Sequence, residues 1–417
     1  MSPEPQDPPE NTQSFGRYRI RGQLGEGGLG RIYLAEQTGI QGFTKIVALK
    51  RILPQLADSA AFRTLFLNEA RVAARLEHPN VVATYEFGEV EGAYFTAMEY
   101  LPGEDLGSIL IRCETPRPMP VEIAAFLAQQ CAHALEYAHE LPDRRPRGGL
   151  LHRDVNPAKV IVTYHGTVKL LDFGVVKRPG GGHAHPPHQY AYCAPEQLGG
   201  EHVDQRADIF SLGIVLWECL SGHRLFDNPT DGGTIDAVRS QTIAPPSLLR
   251  PEVPIALDEI SLRCLTRERD QRYQSARELS EALDGFLAEE RRRPSSNTVG
   301  QWLESLFGSE RATLKKSIAQ GSDVEGALAA LALSEVRRPT AVDTSGSHRR
   351  PPSVRPRPLW STANRRRTPL PAARSVPAPV VPLPAPRRTL PYRTIAVAAS
   401  ITLALVLALI VLRGCGG

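Results

Sequence analysis

The apolar residues of this chain change period once, near Gly107, and that change constrains the fold more than any other feature. Before it, short runs alternate apolar and polar residues: YRIRGQL, RIYLAEQ and KIVALKRIL, then VVATYEFGEV and AYFTAMEYL. Runs of this length, rich in Val, Ile and Tyr, read as antiparallel strands. One segment among them, FRTLFLNEARVAARL, carries its apolar positions at helical spacing. After Gly107 the helical period dominates, in VEIAAFLAQQCAHALEYAHEL, DIFSLGIVLWECLSG, ALDEISLRCLTR and SARELSEALDGFLAEE. Strands first and helices later predict an α+β protein with two lobes.

Composition divides the chain further. Residues 1–17 are rich in Pro and acids and are expected to be disordered, with the folded body over 18–290. Two more helical patterns, TVGQWLESLFGSERATLKKSIAQ and DVEGALAALALSE, predict a helical extension over 291–336. Residues 337–393 then hold 13 Arg, 13 Pro and one acid, Asp343, for a net +12. Such a stretch cannot bury a core and reads as an extended linker. The chain's net +4 is therefore a property of its tail, since residues 1–336 carry a net −9. A folded nucleic-acid-binding domain is not what makes the chain basic, and nucleic acid is not an expected partner.

The next segment, TIAVAASITLALVLALIVL over 394–412, has 19 residues without charge or proline. As a helix it spans roughly 28 Å, close to a hydrocarbon core of about 30 Å. A buried core helix is the competing reading, but behind a linker it has nothing to pack against. The segment is expected to be a single transmembrane helix, followed by a short tail, 413–417. Arg374, Arg387, Arg388 and Arg393 precede it and only Arg413 follows, which places the body on the inner, cytoplasmic face of the cell membrane. Those arginines also make anionic lipid an expected partner. The N-terminal MSPEPQDPPENTQS lacks the basic and apolar regions of a signal peptide. Six scattered cysteines, with no CxxC pair, argue against a metal knuckle or a disulfide framework and for a reducing compartment.

Several motifs carry chemistry. In LGEGGLGRI, which runs through Leu24, Gly25, Glu26, Gly27, Gly28, Leu29, Gly30, Arg31 and Ile32, glycines sit between two predicted strands. A dinucleotide site needs a helix after such a loop and an acid some 20 residues on. Here a strand follows and position 50 is a lysine, so a backbone flap over phosphates fits better. Lys50, in VALK on a strand that looks buried, needs an anion. Glu69 on the following helix can supply one, and the two taken alone also read as an ordinary surface pair. LHRDVNPAKVIV contains Asp154, and Asp172 stands eighteen residues further on, in LLDFG. CAPEQL with Glu196, ADIFSLG with Asp208 and RDQRY with Arg272 follow.

In this order, and with HPNVV (His78 to Val82) and MEYLPG between them, these motifs make residues Tyr18 to Phe286 resemble the eukaryotic-like protein kinase family. The basic linker and single C-terminal span look like bacterial membrane-anchored Ser/Thr kinases. The resemblance implies a bilobal protein-kinase fold, ATP with Mg²⁺ or Mn²⁺ as cofactors, and a protein substrate or signalling partner. It implies that the glycine loop covers the phosphates and that Lys50 holds them while paired with Glu69. Asp154 would accept the substrate hydroxyl proton and Asp172 would ligate the metal. The backbone of Glu99 and Leu101 would meet the adenine, with Met98 behind it and Asp105 near the ribose. Glu196 and Arg272 would pair in the large lobe.

The chain departs from the family at two catalytic-loop positions. The family writes HRDxKPxxN, and here Asn156 replaces the lysine and Lys159 the asparagine. Asn156 brings no positive charge to the transferring phosphate, and an ammonium at 159 cannot ligate a cation. Either Lys159 reaches the phosphates and stands in for both missing groups, or the site binds nucleotide and barely transfers phosphate. In the second case the chain is a membrane-tethered pseudokinase scaffold. The activation segment VVKRPGGGHAHPPHQYAYC has no Ser or Thr, so no phosphothreonine can order it through Arg153. His188 and Gln189 replace the family's Gly-Thr ahead of the structural Tyr192. His183, His185 and His188 read as a solvated loop, and PAPVVPLPAP in the tail as spacer.

Overall fold

Alternation of side chains builds the small lobe. In the structure, a computed structural model, β1 (Ser14–Phe15), β2 (Tyr18–Gly27), β3 (Gly30–Thr38), β4 (Thr44–Ile52), β5 (Thr84–Val90) and β6 (Ala93–Glu99) form a six-stranded antiparallel sheet in the order β1-β2-β3-β4-β6-β5. The residues described are 14–27, 30–39, 44–53, positions 64, 66 and 70, 73–113, 117–141, 149–173, 187–289, 293–321 and, from 324 to 331, all but 325 and 329. Gly28, Leu29, Glu69, His183, His185 and residues 332–417, with the predicted linker and span, lie outside them. Among the described residues no helix is long and apolar enough to cross a membrane.

Strand β4 shows how the sheet serves the site. Val47 and Leu49 pack with Tyr18, Ile20, Ala35, Phe95 and Ala97 on one face. Ala48 packs with Val82 and Met98 on the other. Lys50 shares the face of Ala48 by the period of two and so points toward the cleft. Strand β1 corrects the N-terminal boundary, because it begins inside the stretch expected to be disordered. Phe15 is buried and sits edge-on to Phe95 at 5.5 Å, and an aromatic so placed anchors the strand.

The large lobe is helical. Helix α1 (Leu106–Arg112) is followed by α2 (Val121–Glu140), α3 (Pro195–Gly199), α4 (Arg206–Ser221), α5 (Asp231–Ser240), α6 (Pro246–Leu249), α7 (Ile255–Cys264) and α8 (Ala276–Glu289). Nearly every residue of α4 is buried, as expected of a helix apolar all round at the centre of a lobe. A small sheet of β7 (Gly103–Asp105), β8 (Val160–Thr163) and β9 (Val168–Leu170) lies under the cleft. Its strands are too short to announce themselves by period. The described cysteines Cys113, Cys131, Cys193, Cys219 and Cys264 are free and buried.

The helical extension packs on this body, in two pieces. The continuous pattern over 298–320 predicted one helix, but Gly308 sits at φ 93° and separates α9 (Ser296–Phe307) from α10 (Ser309–Ala319). Only glycine takes that backbone region without strain. Val299 and Leu303 of α9 join the core of the large lobe. Beyond them, Ile318, Val324 and Ala327 bury against Leu34 of β3 in the small lobe.

Candidate active site

The catalytic-loop motif folds around a buried carboxylate. Asp208, inside apolar helix α4, accepts from the backbone N–H of His152 at 2.9 Å and of Arg153 at 2.7 Å. Its Oδ2 also meets His139 Nε2 at 2.8 Å. Burial works against the charge of Asp208, yet these donors hold its carboxyl below the usual carboxylate range. They also hold Arg153 at φ 67°, a left-handed conformation worth about 1–3 kcal/mol of strain for a residue with a side chain. His152 is fully buried, with Nε2 on the Leu171 carbonyl at 2.8 Å and its ring edge-on to Phe173. Burial keeps its proton affinity below that of an ordinary imidazole. A polar run in an apolar setting is thus tied together by one aspartate. The signal in the sequence was an acid near the start of a largely apolar helix, and a buried acid must have donors.

Asp154 projects from this loop. Its backbone N–H donates to His152 Nδ1 at 3.2 Å. Burial raises the proton affinity of its carboxyl, against the opposing pull of Lys159 and His152. Asn156 stands beside it in a structural role. Its Nδ2 donates to the Asp154 carbonyl and to Asp154 Oδ1, both at 3.0 Å, and its Oδ1 accepts from Ala158 N at 3.0 Å. The contact with Ala158 N caps the short 3₁₀ turn Pro157–Lys159. Asn156 therefore orients Asp154 where the family pattern would place a cation.

Asp172 forms the centre of the cleft. Lys50 Nζ donates to its Oδ1 at 3.2 Å and Lys159 Nζ to its Oδ2 at 2.5 Å. Burial opposes the charge of Asp172, and the two ammoniums overcome it and hold the carboxyl far below the usual range. Its backbone is also left-handed, at φ 55°. The anion that Lys50 meets among the described residues is thus Asp172, while Glu69 lies outside them. Lys159, at the family pattern's asparagine position, serves here as a counterion to Asp172.

The remaining predicted residues surround this centre. Gly27 pairs with Gly30 across the β2–β3 hairpin, whose tip, Gly28 and Leu29, lies outside the described residues. A Cβ on Gly30 would stand 2.1 Å from the Arg51 carbonyl, so backbone packing alone demands glycine there. A Cβ on Gly25 would meet nothing within 4 Å, which leaves room below the hairpin. Glu26 and Arg31 stand opposite each other in the backbone register of β2 and β3. Met98 is buried with Ala48 and Val82, against Ile32, Leu101 and Leu171, an apolar layer suited to a flat ring. Leu24, in contrast, is 42% exposed. Behind Met98 a cavity of about 40 Å³ is lined by Lys50, Leu76, Thr96, Asp172 and Phe173. The side chain of Glu99 is committed to Lys169 Nζ at 2.5 Å and Ala83 N at 2.7 Å, which leaves only its backbone to face the cleft. Asp105 caps α1, accepting from Ser108 N at 2.9 Å and Ser108 Oγ at 2.6 Å.

Structural pairs complete the large lobe. Arg272, fully buried, forks onto Glu196 at 2.7 and 3.0 Å. Tyr192 donates to Glu218 Oε2 at 2.7 Å, and this burial keeps its phenol protonated.

The sequence profile of the protein kinase domain matches residues 18–295. The tyrosine-protein kinase MasK of Myxococcus xanthus is 37% identical over 318 residues, 73% of this chain and 48% of that protein. The serine/threonine-protein kinase PknE of Mycobacterium tuberculosis is 34% identical over 286 residues, 67% of this chain and 47% of that protein. The chain spans about half the length of these curated relatives. The crystal structure of the Mycobacterium tuberculosis PknI kinase domain superposes with a TM-score of 0.51 at 32% identity, covering 66% of this chain and 98% of that domain. With its lysine, its two aspartates and its buried Glu196–Arg272 pair in one bilobal frame, this chain belongs to the protein kinase family.

Proposed function

We propose that this chain transfers the terminal phosphoryl group of ATP to a serine or threonine hydroxyl of a protein. The observation that carries the reading is the approach of Lys50 to Asp172 at 3.2 Å, beside the loop that presents Asp154. ATP, bound with Mg²⁺ or Mn²⁺, supplies the phosphoryl group and the cation that shields its charge. Asp154, held by Asn156, accepts the proton of the substrate hydroxyl. Lys50 holds the phosphates under the glycine hairpin, and the backbone of Glu99 and Leu101 meets the adenine. Asp105 lies at the ribose end.

The donor set suits one cation. Lys159 has no lone pair to offer, and the Asn156 amide oxygen is already engaged by Ala158 N. Only the Asp172 carboxylate remains as a metal ligand from these positions. Asp172 would hold that cation, and Lys159, in giving up its contact with Asp172, would bring its charge toward the phosphate. Incubating the full chain with labelled ATP, Mg²⁺ or Mn²⁺ and a generic acceptor, beside Asp154→Ala, tests the reading. Transfer no greater than in the variant overturns it. The printed names of the relatives include both serine/threonine and tyrosine kinases, so phosphoamino-acid analysis of the product tests the hydroxyl class.

A second reading, a nucleotide-binding or nucleotide-free scaffold, is favoured by one observation. The 2.5 Å contact of Lys159 with Asp172 occupies the oxygen that a cation needs. Tethering belongs to the proposal in either case. The uncharged run 394–412, preceded by four arginines within 20 residues, supports a membrane span with the kinase domain on the inner face. Arginines next to such a span attract anionic lipid by about 1 kcal/mol each. Full-length protein that stays in the soluble fraction, as residues 1–393 are expected to do, would remove the span.

A further inference from the structure

The extension beyond residue 295 meets the hinge between the lobes from behind. Several contacts coincide there. Glu104, two residues past Pro102, is 5% exposed and carries a charge that needs partners. Arg311 of α10 forks onto it at 2.6 and 3.1 Å, and Lys315, one turn on, reaches it at 2.9 Å. Tyr164 OH adds a donor at 2.7 Å. Lys315 Nζ also donates to the Gly103 carbonyl at 2.6 Å, and Gly103 N donates to the Leu101 carbonyl at 2.8 Å. A continuous hydrogen-bonded path therefore runs from α10 to Leu101.

The apolar contacts agree with the polar ones. Tyr100, between Glu99 and Leu101, packs against the cluster of Ile318, Val324 and Ala327 with Leu34 of the small lobe. Its ring thus lies on the extension side of the hinge, while the neighbouring Leu101 joins the Met98 layer on the cleft side. At the far end, α9 is rooted in the large lobe through Val299 and Leu303. The segment spans both lobes and touches the hinge on the way. The family profile ends before it, at residue 295.

We propose that α9, α10 and the described residues from there to Leu331 form a strap that sets the position of the hinge, with Arg311 and Lys315 as positioning residues that act on the adenine subsite through Glu104, Gly103 and Leu101. The strap is a separate device from the catalytic centre, and its effect on nucleotide rests on the kinase reading.

The test uses full-length protein in detergent, as wild type, as Arg311→Ala/Lys315→Ala and as Glu104→Gln. Hydrogen exchange over residues 98–104 is expected to speed up about tenfold in the double variant and less in Glu104→Gln, with exchange in α4 unchanged. In transfer assays the KM for ATP is expected to rise about fivefold with kcat within about twofold, and Arg311→Lys with Lys315→Arg is expected to restore most of it. Unchanged hinge exchange in the double variant overturns the strap. So does an equal rise in the hinge and α4, which would mean general loosening. A wild type without transfer removes the kinase reading and leaves the exchange result to decide the strap.

Discussion

Two carboxylates in this protein each sit between two cations, and they are built for different ends. Asp172 lies in the cleft between Lys50 and Lys159, with side chains 21%, 15% and 22% exposed. Each lysine brings a compact charge and one contact, and the backbone beneath Asp172 is strained at φ 55°. Glu104 lies behind the hinge at 5% exposure, gripped by the planar fork of Arg311, by Lys315 and by Tyr164. A guanidinium fork is preorganised and geometrically exacting, whereas an ammonium on a flexible stem exchanges partners readily. The comparison teaches that ion pairing alone does not mark function. The pair at the cleft can be traded for a ligand, and the pair behind the hinge is a fastening.

Four outcomes would sharpen or break that contrast. The largest is expected for Asp172→Asn, which removes the one carboxylate left for a cation. Transfer should fall by about a thousandfold or more, in initial rates at saturating ATP. Next is Glu104→Ala, which strips a buried pair of one member and leaves two cations behind. It should cost about 3 kcal/mol, measured as a lowered denaturation midpoint of the full chain, with the effect on stability larger than that of Asp172→Asn. If the order of these two stability losses is reversed, the distinction between exchangeable and fastened pairs fails.

A smaller effect is expected for Lys159→Asn, which frees the Asp172 oxygen and supplies an oxygen ligand. Stabilisation of the protein by ATP should then need about tenfold less Mg²⁺, read from thermal shifts across a metal titration. No change would mean that Lys159 does not compete with the cation. The smallest effect is acid dependence. Burial opposes the charge of Glu104, but Arg311, Lys315 and Tyr164 hold its carboxyl below the ordinary value of 4.5. The stability this group contributes is present above that ordinary value and is lost as pH falls through the lower folded value. Tyr100 is a further titratable group close by, and its phenol is raised by burial and stays neutral there. Glu104→Gln should therefore flatten the acid limb of the stability curve, and an unaltered limb would deny the pair its role.

Much of this was legible in the residues, and the rest was hidden for identifiable reasons. The period change near Gly107 did mark the turn from sheet to helices, because burial of one strand face or one helix stripe leaves that trace. The motif spacing did bring Lys50, Asp154 and Asp172 to one cleft. What the spacing could not show was that Asn156 would cap a turn and hold Asp154, since that depends on side-chain direction within three residues. Nor could it show that Lys159 would close on Asp172. Gly308 was a visible interruption that the helical pattern around it concealed. The strap was out of reach altogether, because Arg311 and Glu104 stand 207 residues apart and neither looks unusual alone.

The measurement that bears most directly on the whole account is phosphoryl transfer by the full-length protein, with ATP and Mg²⁺, beside Asp154→Ala. The account predicts labelled phosphate on serine or threonine of an acceptor protein with the wild type, and a loss of at least about a hundredfold in the variant. Equal, background labelling in the two would contradict it and leave a scaffold with the frame of a kinase.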